Sequence, residues 1–216
     1  MLSEHDGMSL ADARRWMSAG SLAELGDLTA LWLEGEIGQA PTNLGPPAEE
    51  TAELIPVLAA VNRAGFVTDG SQPGMSEPWQ GSILGWTAPP GSVWWQRAAV
   101  SGFATAQACE LLASLANPGL MCSITVAYPI WPAPPGWNVT RIGAGADWLE
   151  ATWFGEQILR TGIECEFGAM CQPAAVAALC DARQVTLIDS EWNRNSPGRS
   201  RSRWILFTGS PAAVSA

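Results

Sequence analysis

The sequence predicts an α/β or α+β domain in which helices pack against a mixed sheet of about five strands, preceded by a helical N-terminal region. Two observations predict this class. Apolar residues make up 47% and charged residues only 15% of the 216 residues, a composition that favours a large buried core. From residue 94 onward, short apolar runs alternate with helix-length segments, and this alternation is typical of sheets covered by helices.

Two helices are expected near the N-terminus. Ser9 with Asp12, and Ser21 with Glu24, have the spacing of a capping box, in which the hydroxyl and the carboxylate satisfy free N–H groups of the first helical turn. Apolar residues then recur at helical spacing over residues 22–32, which marks one buried face.

A third helix is expected over residues 48–63, bent or shortened by Pro56 and ended by Gly65. Residues 66–67 predict a short strand that leads into a turn-forming loop at 68–74. A Trp- and Pro-rich insertion follows at 75–93. The remaining predicted elements are strand 94–103, helix 105–116, strand 121–127, helix 148–160, strand 163–167, helix 173–182 and strand 185–188. The first three of these predict a parallel βαβ unit.

Charge is distributed unevenly along the chain. The net charge is −10, all 21 acidic residues precede Arg194, and the arginines after Glu191 have no acidic neighbour. An acidic body repels phosphate backbones, so we expect no duplex nucleic acid partner. We expect residues 1–195 to form one globular domain and residues 196–216 to form a basic, flexible tail.

Compartment and cofactor use also follow from the composition. No apolar stretch reaches the roughly 20 residues that cross a bilayer, and acidic residues stand where a signal peptide carries basic ones, so a cytoplasmic location without a membrane is expected. Five cysteines without a C-x-x-C pair do not suit a disulfide framework.

The single histidine, His5, argues against zinc sites and His-dependent catalysis, and we expect no metal or other cofactor.

Four segments carry a resemblance to a known family. They are LAELGDLTALWLE at 22–34, EETAELIPVLAAVNRAGFVTDGSQPG at 49–74, QRAAVSGF at 96–103 and ALCDARQVTLIDSEWNR at 178–194. In order and spacing they resemble a domain family of unknown function that is widespread in actinobacteria, over about residues 20–195. The resemblance implies no activity. The chain departs from the family pattern in the insertion at 75–93 and in the tail.

Two polar segments, each directly after a predicted strand, supply the candidate ligand-binding residues. They are Thr68, Asp69, Ser71 and Gln72 in the first segment and Asp189, Glu191 and Trp192 in the second, with Arg97 as a counter-charge. If both strands run in the same direction, these side chains line one cleft at a single edge of the sheet. In the alternative interpretation, the polar side chains only stabilise their own turns and Arg97 forms a structural ion pair.

Two hypotheses of function remain open. The first is a non-catalytic domain that binds a small polar ligand or a protein, and sparse charge with 12 tryptophans favours a homo-oligomer or a protein partner. The alternative is a carboxylate-dependent enzyme, with or without a metal ion, acting on a small nucleotide-like substrate through Asp69, Asp189 and Glu191. Convergence of two of these carboxylates within about 6 Å would favour the enzyme.

Overall fold

The computed structural model describes residues 7–83, 86–114, 118–126, 136–156 and 158–192. The predicted tail at 196–216 lies outside these residues. The helices within them are α1 (Leu10–Trp16), α2 (Leu22–Leu33), α3 (Ile55–Arg63), α4 (Ala106–Ser114), α5 (Arg160–Phe167) and α6 (Pro173–Asp181). The strands are β1 (Phe66–Gln72), β2 (Met75–Pro78), β3 (Ser82–Ile83), β4 (Trp86–Thr87), β5 (Val93–Gln96), β6 (Ala99–Ala104), β7 (Leu120–Val126), β8 (Trp137–Ala144), β9 (Asp147–Phe154) and β10 (Arg183–Asp189). None of the helices in this part of the chain is long and apolar enough to cross a membrane.

Eight of these strands form two antiparallel sheets of four strands each. The first sheet has the order β1-β6-β10-β7 and the second has the order β2-β5-β8-β9, while β3 and β4 pair with each other. The fold is therefore α+β, and the prediction of one sheet of about five strands is wrong. The predicted strand 94–103 is two strands, because the chain leaves the second sheet after β5 and enters the first sheet at β6.

Within the first sheet, β1 and β10 run in the same direction because both are antiparallel to β6, which lies between them. Gln72 of β1 and Ile188 of β10 are both opposite Ala99, so the two strands end at the same edge of the sheet. The predicted βαβ unit is split: β6 and β7 are parallel, but β10 pairs with both of them instead of leaving them as neighbours.

The predicted helix starts agree with the structure at two positions. Ser9 Oγ accepts a hydrogen bond from the Asp12 N–H at 3.1 Å, and Ser21 Oγ accepts one from the Glu24 N–H at 3.2 Å. The third helix starts later than predicted, at Ile55, after a short 3-10 turn at Glu49–Thr51. Proline lies in its first turn, where its missing N–H leaves no hydrogen bond unmade.

The predicted helix 148–160 and the predicted strand 163–167 are both wrong. Most of the first segment is β9, which forms a hairpin with β8 through a turn at Gly145, where φ is 60°. The second segment belongs to α5, whose residues Ile163 and Phe167 are buried one helical turn apart. Pairing with β8 decides the conformation of β9, and no local pattern in the sequence encodes that pairing.

The core has three parts that together position the candidate site. One face of the first sheet packs against α3 and α4, with Val100, Ala104, Val185 and Leu187 at the contact. At one end of the opposite face, Val67 and Phe103 pack against residues of α1, α2, α5 and α6. At the other end, Ala99 and Ile188 pack against Val139 of β8 and join the two sheets.

Candidate functional site

A cavity of about 230 Å³ lies along β1, at the edge of the first sheet. We call it the β1 cavity. Its apolar walls include four aromatic side chains, those of Trp16, Trp32, Phe103 and Phe167. Its polar lining consists of Thr29, Thr42, Asn43, Thr51, Thr68, Asp69 and Ser71. The volume lies below the range of pockets that hold drug-sized molecules, so it suits a compact ligand.

Two tryptophans that line the β1 cavity are hydrogen-bonded to backbone carbonyl groups. The Trp16 Nε1–H donates a hydrogen bond to the Gln39 carbonyl at 2.8 Å, and the Trp32 Nε1–H donates one to the Gly45 carbonyl at 2.9 Å. Both indole N–H groups are therefore used to hold the segment that follows α2. The polar edge of each ring is satisfied by the protein, and the partly buried Trp32 offers more aromatic surface to a ligand than Trp16, which is 2% exposed.

Asn62, which sequence reasoning missed, fixes the start of the polar segment on β1. Its side chain is fully buried, and its Nδ2 donates to the Leu58 carbonyl and to Thr68 Oγ1, both at 2.8 Å. Its Oδ1 accepts the Thr68 N–H at 2.9 Å. Thr68 lines the cavity, but its hydroxyl is engaged in holding the end of α3 to β1.

Asp69 lies in a bulge, and this local structure differs from the predicted loop at 68–74. The register of β1 against β6 shifts between Thr68 and Gly70, so Asp69 has no direct partner on β6. Its Oδ1 accepts a hydrogen bond from Ser101 Oγ. Burial raises the pKa of Asp69, and this effect outweighs the hydrogen bonds from Ser101 and from the N–H groups of Asp69 and Gly70, which lower the pKa.

A second carboxylate, Glu166 of α5, acts electrostatically on the same region. Burial raises the pKa of Glu166, and the charge of Asp69 raises it further. Sequence reasoning missed Glu166 because the segment was assigned to a strand. The two carboxylates make the neighbourhood of Asp69 strongly negative, a field that favours a cation or a bound proton.

Ser71 and Gln72 are adjacent in β1, but only Ser71 lines the β1 cavity. Ser71 lines the β1 cavity, as Thr68 and Asp69 do. Gln72 is buried, and its Nε2 donates to the Arg97 carbonyl at 2.8 Å and the Val139 carbonyl at 3.3 Å. The Gln72 amide therefore ties the end of β1 to the second sheet, which is the structural alternative considered for this residue.

Asp189 lies in a different place from Asp69. Its N–H donates to the Ala98 carbonyl at 2.8 Å, and its Oδ1 accepts the Glu191 N–H at 3.0 Å, so the carboxylate stabilises the turn after β10. Asp69 lies instead beside Ser101 of β6, which is three residues from Ala98, or roughly 10 Å along the strand. Asp69 and Asp189 also lie on opposite sides of β6, because β1 and β10 flank that strand. The predicted single cleft is thus divided into two separate groups of residues.

The second group contains Arg97, Trp192 and two residues that the sequence did not indicate, Arg141 and Trp148. The Arg97 guanidinium lies 4.1 Å from the centroid of the Trp192 ring, and the Arg141 guanidinium lies 4.4 Å from the same centroid. Arg141 also lies 4.3 Å from the centroid of Trp148. We call these four residues the arginine–tryptophan stack. Arg97 and Trp192 belong to the predicted candidate set, whereas Trp148 lies in the segment wrongly assigned to a helix and Arg141 lies on β8, for which no element was predicted.

The described residues contain no group of three or more His, Cys, Asp or Glu side chains that could hold a metal ion.

All five cysteines are unpaired. Burial raises the pKa of Cys171 to about 12, and it also raises the pKa of Cys109, Cys122 and Cys180. These thiols stay protonated near neutral pH, which makes them poor nucleophiles.

Residues 11–198 match the model of a family described as a domain of unknown function, DUF6919. The match includes both sheets, the β1 cavity and the arginine–tryptophan stack. It also includes the segment at 75–93. No curated protein matches the chain. The resemblance seen in the sequence is confirmed at the level of an uncharacterised domain family, and the chain belongs to the DUF6919 family.

Proposed function

We propose that this domain is a non-catalytic binding domain whose β1 cavity takes a small organic cation. The observation that carries the proposal is a partly buried carboxylate, Asp69, whose pKa is raised by burial and which lines a cavity with four aromatic side chains. Carboxylate and aromatic carbon together are the surroundings that favour an ammonium group with apolar substituents.

The charge of Asp69 supports a cationic ligand. A carboxylate that is removed from water is costly in the ionised form unless an opposite charge approaches it. Among the described residues, the ion pairs join Arg63 to Glu34 and Arg160 to Glu164, and no arginine pairs with Asp69. The chain has no lysine, so a ligand cation would supply the opposite charge.

The aromatic walls and the overall charge support the same ligand. A cation within about 6 Å of an aromatic ring is attracted by its π system, by about 2 kcal/mol when the pair is desolvated. The rings of Phe103 and Phe167 meet edge to face with their centroids 6.3 Å apart, and both rings line the same cavity as Asp69. The net charge of −10 raises the local concentration of cations around the domain.

The geometry favours binding over the catalytic alternative. That alternative required Asp69 to act together with Asp189 or Glu191. The Asp189 carboxylate is engaged in its own turn, and its backbone lies roughly 10 Å along β6 from the level of Asp69, more than the separation of about 6 Å that joint carboxylate catalysis needs. The carboxyl group that interacts electrostatically with Asp69 is that of Glu166, and a bound cation would favour the ionised form of both groups.

A matched ligand screen tests the proposal. Choline is compared with dimethylbutanol, its neutral carbon isostere, and alkylamines are compared with carboxylic acids of equal size by thermal shift and calorimetry. We expect only the cations to raise the melting temperature, with a gain of about 2.7 kcal/mol at 100 times Kd. Equal stabilisation by the neutral isosteres, or none by any cation, would contradict a cation site.

Two broader proposals accompany the ligand. We propose a reducing, cytoplasmic setting, which the five unpaired cysteines support. We also propose that the domain forms a homo-oligomer or binds a protein partner. Trp137 and Trp153 support this because each is nearly half exposed on the β8–β9 hairpin.

A further inference from the structure

The arginine–tryptophan stack contains two cations whose hydrogen-bonding capacity is incompletely used. The Nε atoms of Arg97 and Arg141 are both buried and have no hydrogen-bond partner among the described residues. The guanidinium carbons of Arg97 and Arg141 lie over the Trp192 ring, and that of Arg141 also lies over the Trp148 ring. The N–H donors point outward in the plane of each group, so stacking does not satisfy them.

The ion pairs among the described residues do not include Arg97 or Arg141. Among the described residues no carboxylate lies within 4 Å of either guanidinium, since the ion pairs there involve other arginines. Glu4 and Asp6 are the acidic residues of the sequence that lie outside the described ranges. Asp189 acts on Arg97 electrostatically, but its carboxylate also accepts the Glu191 N–H.

The positive charges of the two guanidinium groups also repel each other. Burial lowers the pKa of Arg97, and the positive charge of Arg141 lowers it further, while Asp189 acts in the opposite direction. Burial lowers the pKa of Arg141 as well. Partly buried charges of one sign held close together are costly unless a counter-ion joins them.

We propose that the arginine–tryptophan stack is a binding site for the phosphate group of a small phosphorylated molecule, held by the N–H edges of Arg97 and Arg141. Two fixed positive charges match the two negative charges of a phosphate monoester. Planar guanidinium donors are the groups that bind phosphate oxygens in pairs. The acidic body of the domain repels a polyanion, so a single phosphate group fits better than a nucleic acid backbone. This site is separate from the β1 cavity and does not depend on its ligand.

Inorganic phosphate is the probe for this site. We compare the melting temperature and the tryptophan fluorescence of the full chain in phosphate and in sodium chloride of equal ionic strength, and we titrate phosphate by calorimetry. Phosphate should raise the melting temperature beyond the effect of chloride and change the emission of the stacked tryptophans. Absence of any phosphate-specific effect on the wild-type protein would mean that the stack is purely structural and would overturn the proposal.

Two variants and one control locate the binding. Arg97→Gln and Arg141→Gln should each weaken phosphate binding by about tenfold or more, because each removes one set of charged donors. Arg14→Gln removes the same charge from an exposed position on α1 and should leave binding unchanged. Phosphate binding that survives in both folded stack variants would place the site elsewhere and would overturn the assignment.

A pH series on the wild-type protein decides the matter if the variants do not fold. Methyl phosphate is the probe in this series because a phosphate monoester loses its second proton near a pKa of about 6, so its binding should weaken between about pH 7.5 and about pH 5.5. Sulfate stays dianionic across this range and should bind equally at both pH values. The sulfate series also controls for titration of Asp189, Glu191 and Glu150, of which Glu150 is paired opposite Arg141. Equal loss of sulfate and phosphate binding would contradict recognition of a dianion.

Discussion

Gly102→Ala is expected to destabilise the protein by about 3 kcal/mol or more. A Cβ atom at Gly102 would lie 2.2 Å from the Val67 carbonyl oxygen and 2.7 Å from the Thr68 Cα. Both atoms belong to the backbone of β1, so no side-chain rotation relieves the overlap. β1 must move away from β6, which breaks strand pairing at the bulge that holds Asp69.

Urea unfolding of the wild type and the variant measures the free-energy difference, and thermal unfolding measures the change in melting temperature. The melting temperature should fall by about 6 to 12 °C, given about 2 to 4 °C per kcal/mol for a protein of this size. Gly45→Ala is the control, because the atom nearest to its added Cβ is Asn43 Oδ1 at 3.7 Å, an ordinary contact. Equal unfolding free energies for the two variants would show that β1 does not approach β6 as closely as described.

Asp69→Asn is expected to weaken cation binding by about 30-fold or more while it raises the stability of the free protein. The loss of affinity follows because the variant removes one partner of a desolvated charge pair. The amide has nearly the same shape, and its oxygen still accepts the hydrogen bond from Ser101 Oγ. Any change in cation affinity is therefore caused by the loss of the negative charge of Asp69.

The gain in stability follows from the direction of the pKa shift. The pKa of Asp69 is raised above the usual value of 3.8, so the folded state binds the proton more tightly than the unfolded state. Stability contributed by the protonated carboxyl is complete below the unfolded pKa and is lost as pH rises through the folded pKa. Asparagine does not titrate, so the variant avoids that loss at neutral pH.

Glu110→Gln is the matched control for Asp69→Asn. It removes the same charge from an exposed position on α4 and should change neither the melting temperature nor cation affinity appreciably. If Asp69→Asn binds cations as tightly as the wild type, the carboxylate is not the recognition group. If Asp69→Asn lowers the melting temperature at neutral pH, the ionised carboxylate stabilises the bulge, and the structural interpretation of this residue is correct.

The parts of the fold that were predicted correctly depend on local chemistry. Ser9 and Ser21 cap their helices because the interaction spans three residues, and Gly65 ends α3 with φ of 92°. The assignment of β9 failed because its conformation depends on pairing with β8. The prediction of a single strand over 94–103 failed for a related reason, since the polar pair at Gln96 and Arg97 is as compatible with one continuous strand as with a change of sheet.

The candidate site was predicted in part, for physical reasons that differ between residues. Asp69 and Ser71 were identified because a cluster of polar residues follows an apolar strand, although the observed structure is a bulged strand instead of a loop. Glu166 was missed because the helix that carries it was predicted as a strand, and Arg141 was missed because no element was predicted for the segment that forms β8. Asn62 was missed because its role depends on the approach of α3 to β1, which no sequence spacing encodes.

The affinity of the β1 cavity for a quaternary ammonium ion, measured by calorimetry from about pH 4.5 to about pH 7.5, tests the central claim most directly. Such an ion carries its charge at every pH, so any pH dependence comes from the protein. Both carboxyl groups near the cavity, Asp69 and Glu166, have a raised pKa and become ionised as pH rises. We predict that affinity increases with pH and that binding releases protons. An affinity that stays constant or falls as pH rises would contradict recognition of a cation by Asp69.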